Sequence, residues 1–140
     1  MSRLVIYALG AVALLMGKAP CPLRHGVIKI YKSRPMTFIG HPNAGVIIYG
    51  ADSIVMTASD GVVQAVMNIG DVQAVMIRSD SLFYTYSELD TCILAKGQDV
   101  KAGQVMGYSS RKEIEFFVSG MNGSYKHVEK FVGCKCRIMK

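Results

Sequence analysis

The chain has 140 residues, of which 51% are hydrophobic, and a formal net charge of +6 from 16 Lys and Arg against 10 Asp and Glu. This length and composition are typical of one domain with a hydrophobic core, which excludes an intrinsically disordered protein. The basic residues are scattered, with no run of five, and nothing groups them into a nucleic-acid footprint with interleaved aromatic residues. That pattern argues against nucleic acid as a partner.

The first 20 residues differ from the rest of the chain. Arg3 is followed by thirteen uncharged, mostly apolar residues at positions 4–16, and then by Lys18. Thirteen residues are too few to span a bilayer, which takes about 20, but they suit the hydrophobic region of a signal peptide. We expect export to the periplasm or cell envelope, with membrane contact only if this signal-like segment stays uncleaved. The alternative is a buried first strand or helix of the domain.

The cysteine content fits export, because an even number of thiols can pair in an oxidising compartment. The four cysteines that can form disulfides are Cys21, Cys92, Cys134 and Cys136. Three connectivities remain open, and we expect Cys21 or Cys92 to be joined to the tail that carries Cys134 and Cys136, leaving few free thiols. Zinc at these cysteines is not expected, because Cys134-Lys-Cys136 lacks the Cys-x-x-Cys spacing of structural zinc sites.

From Gly26 onward, β-branched and aromatic runs alternate with turn residues, a pattern typical of short strands. The predicted strands are GVIKIYK, GVIIY, SIVMTA, GVVQAVMN, DVQAVMIR and SLFYTYSE. Only residues 124–132 have the spacing of a short helix, with Tyr125, Val128 and Val132 on one side. The sequence therefore predicts an all-β domain of short antiparallel strands with a short C-terminal helix.

Three glycines mark a more specific pattern. Gly61 follows an aspartate and turns the chain into a strand, and Gly97 and Gly103 are expected at tight turns or backbone crossings, where a Cβ would clash or φ is positive. The segments SDGVVQAVMN and LAKGQDVKAGQVMGYSS resemble the hammerhead of a barrel-sandwich hybrid. Biotinyl or lipoyl carriers and the lysostaphin-type (LytM-like) zinc endopeptidases, which cut peptidoglycan peptides, share this fold. The carriers need a lysine in the hairpin between two halves, and Lys96 and Lys101 lie in other turns.

The resemblance to the LytM-like endopeptidases covers more of the chain. CPLRHGVIKI is similar to the family's opening strand, and HPNAGVIIYGADSIVMTASDGVV to the segment that begins with its first zinc ligands. YTYSELDTCILAKGQDVKAGQVMGYSS and EIEFFVSGMNG resemble the family's Tyr-Ala-His-Leu strand and its His-x-His-Phe-Glu-Val strand. The resemblance implies a barrel-sandwich hybrid (LytM-like β-sandwich) at 21–123, after the signal-like segment 1–20 and before a C-terminal tail at 124–140.

The matched positions carry other residue types than the family's. In the family, a His-x-x-x-Asp pair and the second histidine of His-x-His bind zinc, and two further histidines act on the zinc-bound water. The resemblance places Asn43, Ile47 and Glu115 at the three ligand positions, and Glu88 and Glu113 at the two catalytic positions. Isoleucine has no donor atom for a metal. We therefore expect no zinc, no other cofactor and no catalytic residue.

The resemblance implies a catalytically inactive LytM-like domain that binds or scaffolds in the bacterial envelope and regulates cell-wall hydrolases or joins partner proteins. Glu113 and Glu115 share one strand face, and we expect them to line a groove with Glu88. Their counter-charge is expected from a partner, an envelope protein or a peptidoglycan peptide, rather than from Arg111 or Lys112. One alternative is an altered peptidoglycan hydrolase that uses Glu88 and Glu113 as acid and base. A biotinyl- or lipoyl-like structural domain is the second.

Overall fold

The structure, a computed structural model, describes residues 18–31 and 45–139, so Asn43 lies outside the described residues. Almost all of its regular structure is β-strand. The strands are β1 (Val27–Tyr31), β2 (Val46–Tyr49), β3 (Ile54–Met56), β4 (Gly61–Ile69), β5 (Val72–Ser79), β6 (Leu82–Leu89), β7 (Thr91–Cys92), β8 (Asp99–Val100), β9 (Val105–Tyr108), β10 (Glu113–Gly120) and β11 (Lys135–Met139). The prediction of an all-β chain of short strands is confirmed.

The strands form two sheets. Eight strands make an open sheet in the order β11, β1, β2, β10, β6, β5, β4, β8, and β3, β9 and β7 make a smaller one. The expectation of antiparallel pairing is wrong for β1 and β11, which are parallel. Hairpins force neighbouring strands to run antiparallel, but β11 reaches β1 from the opposite end of the chain and is not bound by that constraint.

The core lies between the sheets, as in a sandwich. Ile28, Ile48 and Ile114 stand side by side on β1, β2 and β10 and are all but fully buried. Val55 and Met106 from the smaller sheet belong to the same core. Since strand side chains alternate between faces, burying these isoleucines turns their sequence neighbours outward on the large sheet.

A buried tyrosine of the large sheet is hydrogen-bonded to the chain that follows β3 of the smaller sheet. The rings of Tyr86 and Phe116, on adjacent strands of the large sheet, lie 4.9 Å apart. The Tyr86 hydroxyl accepts a hydrogen bond of 2.8 Å from the backbone N–H of Ala58, just after β3. Burial raises the pKa of Tyr86 well above its usual range, so the phenol stays neutral.

The predicted C-terminal helix is reduced to one 3-10 turn, Val128–Lys130. Val128 and Val132 are buried in the core, but Tyr125 forms an isolated antiparallel bridge with Ser119 and is partly exposed. The chain is extended on both sides of the turn, to make this bridge and then to enter β11, so no longer helix forms. No helix within 18–31 and 45–139 has the length and apolar sequence needed to cross a bilayer.

The residues before β1 are attached to the tail. The Ala19 N–H donates to the Phe131 carbonyl at 2.9 Å, and the Gly133 N–H donates to the Ala19 carbonyl at 2.8 Å. Next to these bonds, Cys21 and Cys134 form a disulfide with their Cα atoms 5.0 Å apart. The segment before β1 is therefore joined to the segment before β11 at one edge of the large sheet.

The expectation that all four cysteines are oxidised is wrong for Cys92 and Cys136, which are free thiols. Cys92 lies on β7, where its sulfur accepts a hydrogen bond from the Leu94 N–H at 3.4 Å. Burial raises the pKa of the Cys92 thiol. Cys136 is exposed on β11. These two residues lie in different sheets, which is why they do not pair.

The three glycines serve two different purposes. A Cβ on Gly61 would overlap the Arg78 carbonyl oxygen of the neighbouring strand and lie 2.9 Å from Cγ2 of Ile77. Gly97 and Gly103 instead have φ values of +88° and +86°, and nothing lies within 4 Å of where their Cβ would be. Of the two alternatives expected at Gly97 and Gly103, crowding is therefore wrong and a positive φ is confirmed. Their left-handed backbone is what favours glycine there.

Candidate functional site

The candidate site lies on the outer face of the large sheet, where β1, β2 and β10 run side by side. Lys29, Ile47 and Glu115 form one row across these strands, because Ile47 pairs with both of the others. The next row places Tyr49 beside Glu113. These positions face outward because the residues between them, such as Ile48 and Ile114, are buried on the other face.

A cleft of about 280 Å³ opens on this face. Its lining residues are Ile47, Glu88, Arg111, Glu113, Ile114 and Glu115. The structure thus brings together four of the five residues that the sequence resemblance singled out, Ile47, Glu88, Glu113 and Glu115. No residue of the described tail, 124–139, lines the cleft.

Cations of the same chain contact two of the carboxylates. The Arg111 guanidinium lies 2.8 Å from Oε2 of Glu88, with the two side chains 67% and 34% exposed. The Lys29 ammonium forms an ion pair with Glu113. The sequence prediction that a partner supplies all of the positive charge is therefore wrong for Glu88 and Glu113.

Sequence reasoning missed Lys29 for a topological reason. Lys29 and Glu113 are 84 positions apart in the sequence and lie two strands apart in the sheet. The alternation in GVIKIYK puts Lys29 on the outer face, but only the order β1, β2, β10 places it beside Glu113. Its ammonium also lies 4.9 Å from the centroid of the Tyr49 ring, a cation–π contact that holds it in place.

A short turn before β10 carries Arg111 to the cleft, and hydrogen bonds fix that turn. The Ser110 backbone N–H donates to Oδ2 of Asp90 at 2.8 Å, and the Ser109 hydroxyl donates to the Glu113 carbonyl at 2.6 Å. Hydrogen bonds from the Ser110 side chain and backbone lower the pKa of Asp90. Protonating Asp90 at low pH therefore weakens the anchor of the turn.

Two residues have a left-handed backbone, one that lines the cleft and one in the turn beside it. Glu88 has a φ of +71° and Lys112 a φ of +58°. Such values cost of order 1–3 kcal/mol for residues other than glycine and persist only where the surrounding structure holds them. Here the Lys112 carbonyl accepts a hydrogen bond of 2.9 Å from the Gly50 N–H. The turn is thus fixed between β2 and β10.

The residues of the cleft do not fit a zinc ion. Ile47 presents only carbon atoms at a ligand position, and Glu88 and Glu113 are engaged by cations. In the described part of the chain, no three His, Cys, Asp or Glu side chains are grouped so that they could hold a metal. The cleft combines the apolar side chain of Ile47 with the carboxylates of three glutamates. This combination suits a cationic group on an apolar stem.

No protein-family model and no curated protein matches the sequence. Solved structures do match. One is the catalytic domain of the prophage-encoded M23 protein EnpA from Enterococcus faecalis, with 22% identity, a TM-score of 0.62, and coverage of 79% of this chain and 95% of that one. A chain of the SpoIIQ–SpoIIIAH pore-forming complex has 15% identity and a TM-score of 0.63, with coverage of 82% and 90%.

Lysostaphin is a third similar structure, at 19% identity and a TM-score of 0.57. The match covers 74% of this chain but only 50% of that one, so the likeness concerns one part of lysostaphin. Identities this low show the fold and leave the activity open. The described strands of this chain have the nearly all-β fold of the M23, or LytM-like, peptidase domains.

Proposed function

We propose that this protein is a catalytically inactive LytM-like domain, exported to the bacterial cell envelope, where its cleft binds a cationic group of a partner. The observation that carries the proposal is the composition of the cleft, which presents Ile47 and three carboxylates at the positions that the sequence resemblance assigns to the family's active site. Among similar structures, the SpoIIQ–SpoIIIAH complex is an assembly of two proteins and EnpA carries a catalytic domain. The fold thus occurs both in an assembly of proteins and in a catalytic domain. The residues of the cleft favour binding over catalysis.

The residue chemistry argues against a zinc hydrolase. The family's reaction needs a metal that activates a water and polarises the peptide carbonyl. Ile47 cannot help to hold such a metal. Glu88 and Glu113 are also poorly suited to act as a general acid and base. Glu88 forms an ion pair with Arg111, and Glu113 forms one with Lys29. The carrier-like structural domain would leave the open cleft without a role.

Binding proceeds by exchange of counter-ions. The Arg111–Glu88 pair is exposed, and exposed ion pairs contribute only about 0–1 kcal/mol, so a partner's cation displaces Arg111 at little cost. The Lys29–Glu113 pair is better shielded, with the Lys29 side chain 19% exposed, and stays in place. The partner group is therefore a guanidinium or primary amine that enters beside Glu88 and Glu115 and lays its methylene stem on Ile47. An arginine of an envelope protein or a free amine of a peptidoglycan stem peptide has this chemistry.

Replacing Glu88, Glu113 and Glu115 together by glutamine is expected to weaken capture of the partner at low salt while the domain stays folded. Glutamine keeps the size of glutamate but removes the charge that attracts a cation. The matched control replaces three carboxylates outside the cleft, Asp71→Asn, Asp80→Asn and Asp99→Asn, and so changes the net charge by the same amount. Both variants and the parent are tested for pull-down of envelope proteins and for binding to peptidoglycan, native and with its amines acetylated.

The proposal requires that only the cleft variant loses capture, and that acetylation or raised salt reproduces the loss. Equal capture by all three proteins would place the binding surface elsewhere. Unfolding of the cleft variant, seen by circular dichroism, would show that these carboxylates serve as structural counter-ions and would also contradict the proposal.

A further inference from the structure

A second pocket lies on the other side of the Lys29–Glu113 ion pair. Its volume is about 410 Å³, within the range of small-molecule sites. Its lining residues are Lys29, Tyr49, Gly50, Arg111, Lys112, Glu113 and Arg137. Four of these side chains are cationic and one is a carboxylate, so the pocket has an excess of three positive charges.

Part of this charge is not compensated within the described residues. Lys29 is paired with Glu113, and Arg111 with Glu88. Lys112 and Arg137 form no ion pair within 18–31 and 45–139. Two cations are thus left facing one pocket, although like charges that lie close repel each other. An anion would offset this charge, fully if it carries two negative charges and in part if it carries one.

The cations are held in position by their neighbours. The Tyr49 hydroxyl accepts a hydrogen bond of 3.3 Å from the Arg137 guanidinium, and the Tyr49 ring lies under the Lys29 ammonium. The backbone of Lys112 is left-handed, and its carbonyl accepts a hydrogen bond from the Gly50 N–H, which fixes the point from which its side chain starts. Strain kept at a pocket in this way is a frequent mark of a binding site.

We propose that this pocket binds a phosphoryl group, as a phosphate monoester or diester. Phosphoryl oxygens match the fork of an arginine and the point charge of a lysine, and the pocket supplies both kinds of donor. Its volume leaves room for a substituent such as glycerol or a sugar. The pocket shares Arg111 and Glu113 with the cleft, but its two uncompensated cations, Lys112 and Arg137, do not line the cleft and can be changed separately. The phosphoryl group comes either from a soluble ligand or from the headgroup of an anionic lipid.

The test compares three proteins at constant ionic strength. The pocket variant carries Lys112→Gln and Arg137→Gln, and the matched control carries Lys96→Gln and Arg78→Gln, which removes the same charge elsewhere. Glutamine at position 112 has the same backbone requirement as lysine. Binding of pyrophosphate and of glycerol 3-phosphate is measured by calorimetry, and binding to vesicles of phosphatidylglycerol by sedimentation, with neutral phosphatidylcholine vesicles as reference.

Parent and control are expected to bind one or both kinds of probe, and the pocket variant to bind about tenfold more weakly for each cation removed. Binding of the soluble probes identifies a soluble ligand, and binding of anionic vesicles alone identifies a lipid headgroup. No binding by the parent, or equal binding by the pocket variant and the control, would overturn the proposal.

Discussion

Breaking the Cys21–Cys134 disulfide is expected to lower the free energy of unfolding by about 4 kcal/mol. The bond joins residues 113 positions apart and so closes most of the domain into one loop. In the chain-entropy model, so long a loop strongly restricts the unfolded chain, and the folded protein is favoured accordingly. Urea unfolding of the parent, with and without reductant, and of the Cys21→Ser/Cys134→Ser variant measures the loss.

The Cys92→Ser/Cys136→Ser variant is the matched control, because it removes two thiols and leaves the disulfide. It should unfold close to the parent in oxidising buffer. Thiol labelling in denaturant should find two free cysteines before reduction and four after it. An unfolding curve that does not change with reductant would contradict the Cys21–Cys134 pairing. Four free thiols in protein isolated from its native host would contradict it as well.

The Gly61→Ala substitution is expected to destabilise the domain by about 3 kcal/mol. The new Cβ would overlap the Arg78 carbonyl oxygen, and a main-chain atom in the middle of a sheet cannot move aside cheaply. Gly133→Ala is the matched control, since its Cβ would meet only the Ala19 carbonyl oxygen at 3.5 Å, an ordinary contact. The gain from a less flexible unfolded chain is common to both variants. Equal thermal melting of the two would show that β4 and β5 are packed differently from the structure.

Much of the fold was predictable from the sequence, because its strands are short, β-branched and bounded by turn residues. The resemblance of the glycine-bearing segments indicated the architecture, since the close backbone approach at Gly61 and the left-handed backbone at Gly97 and Gly103 both favour glycine. The parallel pairing of β1 with β11 was not predictable. It depends on two segments from opposite ends of the chain, and no local pattern records which strands become neighbours.

The candidate site was predictable to a similar degree. Alternation in β10 placed Glu113 and Glu115 on one face, and the resemblance connected them with Ile47 and Glu88. The counter-ion Lys29 was not predicted, because its position beside Glu113 depends on the order of the strands in the sheet. The second pocket was not predicted for the same reason. Arg137 lies beside Lys29 only because β11 pairs in parallel with β1.

Whether the domain is a zinc peptidase is decided by the zinc content of the purified protein, measured by elemental analysis, together with an assay for cleavage of peptidoglycan peptides. With Ile47 at a position that the resemblance assigns to a metal ligand, we expect far less than one zinc per chain and no cleavage, with or without added zinc. One zinc per chain, with turnover that is lost on chelation and restored by zinc, would contradict the account of an inactive LytM-like binding domain.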